Sequence, residues 1–157
     1  MEYIIDGYNV IRSSYLKEAE QYSSEAGQLR LISLVQNYKR KHPGVFFTIV
    51  FDGVGSLTYP GIGIIYSGDI SADEKIIQMI SRTDKKEYIV VSDDREIQTG
   101  ARIFACKYIG VNDFMVITEK VRKPTKTKYM EKKDIPIELP KIEKELLKYY
   151  EKKIQKI

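Results

Sequence analysis

The sequence predicts a doubly wound α/β sandwich in one domain, a mainly parallel sheet with helices on both faces. Three observations lead there. The strand-like runs, Tyr3-Ile4-Ile5, Phe46-Phe47-Thr48-Ile49-Val50-Phe51 and Tyr88-Ile89-Val90-Val91, are apolar almost without interruption, the pattern of strands buried on both sides. Segments with helical spacing alternate with them, and that alternation generates parallel sheets. At 157 residues the chain is long enough for one full hydrophobic core and too short for two.

Each element has its own signal. Tyr3-Ile4-Ile5, with Asp6-Gly7-Tyr8-Asn9 behind it, reads as a buried first strand ending in a turn. A polar stretch follows, helical or irregular. Leu29, Leu31, Ile32, Leu34, Val35 and Tyr38 then recur at helical spacing until His42-Pro43-Gly44 stops the pattern. The run Phe46–Phe51 is a strand ending at Asp52-Gly53, and Ile62–Tyr66 is a shorter one. Ser71-Ala72-Asp73-Glu74 has the Ser-x-x-Glu form of a capping box ahead of Ile76, Ile77 and Ile80, which puts Ser71 at a helix N-cap. Asp93-x-x-Glu96 repeats that pattern after the Tyr88–Val91 strand and opens a helix through Ile97, Ala101, Phe104 and Ala105. A short strand near Tyr108-Ile109 and a helix from about Asn112 complete a body of residues 1–119. Residues 120–157 form a basic arm, extended and rich in Lys, Thr and Pro as far as Pro140, then a terminal helix marked by Ile142, Leu146 and Tyr149, packed on the body or extending from it.

Composition narrows the class. With 43% hydrophobic and 31% charged residues the chain is an ordinary globular protein, and no run reaches the roughly 18 apolar residues of a membrane span. The chain begins with a strand and not with a secretory signal, which points to the cytoplasm. The single cysteine, Cys106, lies in an apolar helical pattern beside Phe104 and Ala105 and reads as a buried structural thiol. The net charge of +4 is unevenly divided: residues 1–119 carry 13 Lys and Arg against 16 Asp and Glu, residues 120–157 carry 13 against 6. A body at −3 with a tail at +7 suits contact with a polyanion, though lysines also simply solvate a terminal helix.

The acidic residues fall where a ligand would sit. Asp6, Asp52 and Asp93 each follow the apolar end of a strand, and Asp73 lies in the first turn of a helix after another. In a parallel sheet the strand C-termini point one way, so these carboxylates converge on one crevice at the sheet edge. Gathered there, they repel one another and raise their own pKa values unless a cation compensates. With oxygen donors only and no His or Cys cluster, the fitting ion is Mg²⁺ or Mn²⁺. Carboxylate-held metal ions hydrolyse phosphodiesters by activating water and stabilising the leaving oxygen. His42, the sole histidine, sits at a helix end before Pro43 and suits the helix dipole better than ligation. Ordinary duties compete at several positions. Asp6 and Asp52 precede glycines as turn formers do, Glu74 suits the cap, and one of Asp93 and Asp94 caps the helix while the other faces the crevice. Asp69 reads as a loop residue, and Asn9 either orients a water or phosphate or braces the turn.

Taken in order, Ile4-Ile5-Asp6-Gly7-Tyr8-Asn9-Val10-Ile11, Val50-Phe51-Asp52-Gly53, Ser71-Ala72-Asp73-Glu74-Lys75-Ile76 and Val90-Val91-Ser92-Asp93-Asp94 resemble the YacP-type branch of the NYN domains, within the PIN-like nuclease superfamily. The resemblance spans about residues 1–115. It implies a three-layer PIN-like sandwich and a metal-dependent endoribonuclease, with Asp6, Asp73 and Asp93 as catalytic and metal-binding acids. Asn9, Ser92 and Asp94 become supporting residues, Asp94 also a metal ligand. PIN-like nucleases commonly use a fourth acid, and Asp94, Glu74 and Asp52 compete for that place. The branch is associated with translating ribosomes, where it cleaves messenger RNA. That makes mRNA and the ribosome the implied partners and the basic tail a candidate for ribosomal RNA contact.

Arg12, Lys75, Arg95 and Arg102 lie near the motif segments and are candidates for holding the RNA backbone. The competing reading is a non-catalytic RNA- or ribosome-binding protein with a vestigial acidic site. Haloacid-dehalogenase phosphatases need Asp-x-Asp after the first strand, where this chain has Asp6-Gly7-Tyr8. Response-regulator receivers need an early acidic pair that is absent here.

Overall fold

The computed structural model describes residues 1–82 and 87–119. The chain runs β1 (Glu2–Asp6), α1 (Gly7–Arg12), α2 (Lys17–Glu20), α3 (Ser24–Lys41), β2 (Phe46–Phe51), β3 (Gly63–Tyr66), α4 (Ala72–Ser81), β4 (Tyr88–Val91), α5 (Arg95–Ile103), β5 (Lys107–Ile109) and α6 (Val111–Glu119). The strands form one parallel sheet in the order β3-β2-β1-β4-β5. From β1 the chain winds outward through β2 to β3, then crosses to the other flank of β1 and continues through β4 to β5. Winding therefore reverses between β1 and β4, and the strand C-termini at that reversal open the crevice in which such sheets place their ligands. This is the α/β sandwich with a parallel sheet and helices on both faces that the sequence predicts.

Strand alternation divides the core in two. Tyr3, Ile5, Phe47, Ile49, Phe51, Ile89 and Val91 pack with residues of α1, α3 and α6. Ile4, Val50 and Val90 face the other way, onto Ala72, Ile76 and Ile80 of α4 and Ile97 and Ala101 of α5. The central residues Ile4, Ile5, Ile49, Val50, Val90 and Val91 are fully buried, each contributing about 1.5–3 kcal/mol through apolar transfer. This scaffold positions the strand ends, and the face from which each strand-end side chain emerges decides what it meets.

Several local expectations are corrected. Asp6-Gly7-Tyr8-Asn9 is not a turn: α1 starts at Gly7 directly from the strand. Gly7 permits this because a Cβ there would lie 2.3 Å from Phe51 Cε1, so any larger residue would lift the helix off β2. Ser71 caps α4 as expected, its Oγ accepting the Glu74 N–H at 3.1 Å. The α5 cap, however, is Asp94, whose Oδ1 accepts the Glu96 N–H at 2.7 Å. That helix stops at Ile103, and Ala105 takes a left-handed φ of 55°. Cys106 is buried as expected but lies beyond the helix. Leu29 is 47% exposed while Leu31, Ile32, Leu34, Val35 and Tyr38 are buried; α6 begins at Val111. The proposed arm and terminal helix fall on residues 120–157, outside the described residues. Among the described residues no helix is long and apolar enough to cross a membrane.

Candidate active site

Asp6 ends β1, 5% exposed, and side-chain alternation sends it to the α4/α5 side with Ile4. Two donors hold it. The Ser92 hydroxyl, at the end of the neighbouring β4, donates to Asp6 Oδ2 at 3.2 Å, and the Asn9 backbone N–H also bonds the carboxylate. Ser92 Oγ in turn accepts the Asp94 N–H at 3.0 Å, and Asn9 Oδ1 accepts the Asp93 N–H at 2.9 Å. Ser92 and Asn9 thus tie the end of β1 to the loop after β4. Burial above all, then the charge of Asp73 and more weakly that of Asp52, pushes the Asp6 carboxyl up to about 6 despite those hydrogen bonds.

Facing Asp6 are the acids of the surrounding loops and helix starts. Asp52 follows β2 on the same face, and its Oδ1 accepts the Ala72 N–H at 2.8 Å, docking the start of α4 on the strand end. Asp73, one residue on, has its carboxyl raised by burial and then by the charges of Asp94, Asp52 and Glu96. One carboxylate oxygen each of Asp73, Asp94 and Glu96 lies within 4.8 Å of the others. Among the described residues no ion pair reaches Asp6, Asp52, Asp73, Asp94 or Glu96. The donors are all oxygen and all anionic, and their spread is close to twice an Mg²⁺–oxygen bond of about 2.1 Å. These residues fit a hard divalent cation.

The structure distributes the sequence candidates unevenly. It brings Asp6, Asp73 and Asp94 together, with Ser92 and Asn9 supporting. Asp93 stands beside them in the loop after β4, where its Oδ1 accepts the Val111 N–H at 2.9 Å at the start of α6. Asp6 ends β1 on the strand face that packs on α4 and α5, and Asp52 follows Val50 and Phe51 onto the same face. Sequence reasoning misses Glu96 as a site residue and holds Asp52 only as a contender; the alternation signal, applied beyond the strand ends, favours Asp52. Of the basic candidates, Lys75 and Arg95 stand in the first turns of α4 and α5, beside the acids. Arg12 ends α1 and pairs with Glu20 at 2.9 Å. Arg102 lies in the last turn of α5, its Cζ 5.9 Å from the Tyr108 ring centroid, roughly 10 Å along the helix from Arg95.

The sequence pattern of the YacP-like NYN domain matches residues 3–157, almost the whole chain. The chain belongs to the YacP-like NYN domain family. Solved structures agree on the fold. Rae1 (YacP) from Bacillus subtilis superposes with a TM-score of 0.67 at 20% identity, over 97% of this chain and 93% of that one. A point mutant of the same Bacillus subtilis protein gives 0.67 at 19% identity over 76% of each chain. No curated protein sequence matches the chain. NYN membership and the PIN-like fold identify a nuclease-type hydrolase domain.

Proposed function

We propose that this NYN-domain protein is a metal-dependent endoribonuclease that hydrolyses RNA phosphodiester bonds, cutting messenger RNA on the translating ribosome in the cytoplasm. The observation that carries the reading is the convergence of Asp6, Asp52, Asp73, Asp94 and Glu96 without a cationic partner among the described residues, two of them with raised pKa values. Such a cluster is costly unless a cation occupies it. Asp6, Asp73 and Asp94, with Glu96 or Asp52 as the fourth acid, would hold Mg²⁺ or Mn²⁺. The bound ion supplies water activation and stabilisation of the leaving oxygen. Ser92 and Asn9 hold the Asp6 carboxylate and the β4 loop in place, and Lys75 and Arg95 stand beside the acids to meet the phosphates of the strand. The ribosome and mRNA enter through the family resemblance, and the +7 charge of residues 120–157 supports a polyanionic target.

The test is cleavage of an end-labelled RNA and of mRNA on translating ribosomes by the purified protein, with Mn²⁺, Mg²⁺ or EDTA. Cutting is expected with metal, none in EDTA, and none from Asp6→Asn while its circular dichroism stays native. RNA binding without cleavage in any metal would instead mark a binding protein with a vestigial site. Diffraction from crystals soaked in Mn²⁺ should show anomalous density between Asp6, Asp73 and Asp94.

A further inference from the structure

On the other side of the crevice mouth, Arg12 is exposed at the end of α1 with its Cζ 4.7 Å from the Tyr8 ring centroid. Its fork is already taken. Nε lies 3.2 and 3.3 Å from the two carboxylate oxygens of Glu20, and Nη2 lies 2.9 Å from Oε1. The charge of Asp52, the acid after β2, also acts on this guanidinium. Glu20 lies close against α3, where a Cβ on Gly27 would sit 3.3 Å from Glu20 Cβ. Tyr8 is fixed likewise, its hydroxyl 2.5 Å from Ser24 Oγ and accepting from Gln28 Nε2 at 2.6 Å.

We infer that Arg12, seated on Tyr8, is a binding subsite for a backbone phosphate of single-stranded RNA, and that the Glu20 carboxylate occupies it in the RNA-free protein. A guanidinium fork binds carboxylate and phosphate by the same two-point geometry. The Arg12–Glu20 pair is exposed on the Arg12 side, 63% against 21%, and exposed ion pairs contribute little net stability, so a phosphate tethered by neighbouring contacts displaces the carboxylate. Arg12 ends α1, which packs on the sheet face opposite α4 and α5 where the acids stand, so the subsite holds a phosphate outside the scissile one. The inference rests on the ribonuclease reading for its ligand, while its test needs no cleavage.

The test is fluorescence anisotropy of a fluorescein-labelled twelve-nucleotide oligouridylate with the full chain, in Ca²⁺ at fixed ionic strength. Glu20→Gln frees the Arg12 fork of its competitor, and should tighten Kd about three- to tenfold. Glu20→Asp, too short to span the same gap, should tighten it in the same direction. Arg12→Gln should weaken binding and flatten the dependence of log Kd on log salt by about 0.7, one phosphate on a single strand. Glu20→Gln combined with Arg12→Gln should match Arg12→Gln alone. Unchanged or weaker binding by both Glu20 variants, tightening that persists without Arg12, or a wild-type protein that does not bind the oligonucleotide would each overturn the inference. Failure of RNA cleavage by wild type would remove the nuclease reading and leave this comparison standing.

Discussion

Asp6 concentrates the chemistry of the site in one side chain. Its carboxyl, pushed up to about 6 by burial and by Asp73, is ionised at neutral pH only against a cost. The folded protein keeps a proton there that the unfolded chain releases near 4. Stability contributed at this position is therefore lost as pH rises from about 4 through 6, and above 6 the full cost of about 3 kcal/mol remains in the metal-free protein. Asp6→Asn removes that cost while keeping an acceptor for Ser92 and Asn9. In EDTA it should raise the urea-unfolding free energy at pH 8 by about 1–3 kcal/mol and leave it unchanged near pH 4. Equal effects at both pH values would disprove the burial account. Under the metal-site proposal Mn²⁺ should reverse the ranking, since only the wild type would offer the Asp6 carboxylate to the ion. Ser92 is the second residue-scale lever. Its hydroxyl, 1% exposed as a residue, serves both Asp6 and the Asp94 N–H; Ser92→Ala removes both hydrogen bonds, and chemical denaturation should read a loss of about 1–3 kcal/mol. Of these residues, the sequence discloses Asp6 by its position at a strand end, whereas Ser92 enters only through the family resemblance.

At the level of elements, the legibility of the site follows the legibility of the strands. The buried runs Tyr3–Ile5, Phe46–Phe51 and Tyr88–Val91 are readable because nothing but a doubly covered parallel sheet hides so continuous an apolar stretch. Helix boundaries are less so. The α1 start is hidden because Asp-Gly-Tyr-Asn has turn chemistry, and only the contact of Gly7 with Phe51 across the fold makes it helical. Asp93 and Asp94 are indistinguishable as neighbours in sequence; the difference lies in which helix each meets, Asp94 capping α5 and Asp93 capping α6. Separating these duties gives a test. Asp94→Asn keeps the α5 cap yet removes a charge from the acidic group, and should lower RNA cleavage at least about a hundredfold with metal affinity, in line with loss of a metal-site group. Asp93→Asn should retain cleavage within a few-fold, whereas Asp93→Ala should lose about 0.5–2 kcal/mol of stability through the α6 cap. The reverse ranking of the two asparagine variants in a cleavage assay would return Asp93 to the site. Gly7→Ala tests the element that carries Asn9: it forces α1 off Phe51 and should cost about 1–3 kcal/mol in thermal or urea unfolding.

The molecule as a whole separates chemistry from capture by charge. Under the ribonuclease proposal an acidic crevice would attract a cation and repel RNA, so a body of net −3 would need positive charge elsewhere, and residues 120–157 carry +7. Metal binding removes part of the repulsion, and Arg12, Lys75 and Arg95 supply local contacts, but each contributes one phosphate at most. Most of the salt-sensitive affinity should therefore come from the tail. Changing Lys123, Lys126, Lys128, Lys132, Lys133 and Lys141 to glutamine tests this without altering any residue of the sheet or the crevice. RNA affinity at low salt should drop at least about tenfold, uniformly across sequences, and the slope of log Kd against log salt should flatten by about 0.7 for every phosphate that the tail no longer neutralises. Turnover at saturating RNA should stay within a few-fold, because the acids at the β1 and β4 ends are untouched. A variant whose Kd and salt slope equal those of the wild type would show that the lysines only solvate the tail, and would move the capture of RNA onto the body, where Arg12 and the residues of the crevice mouth would have to supply it.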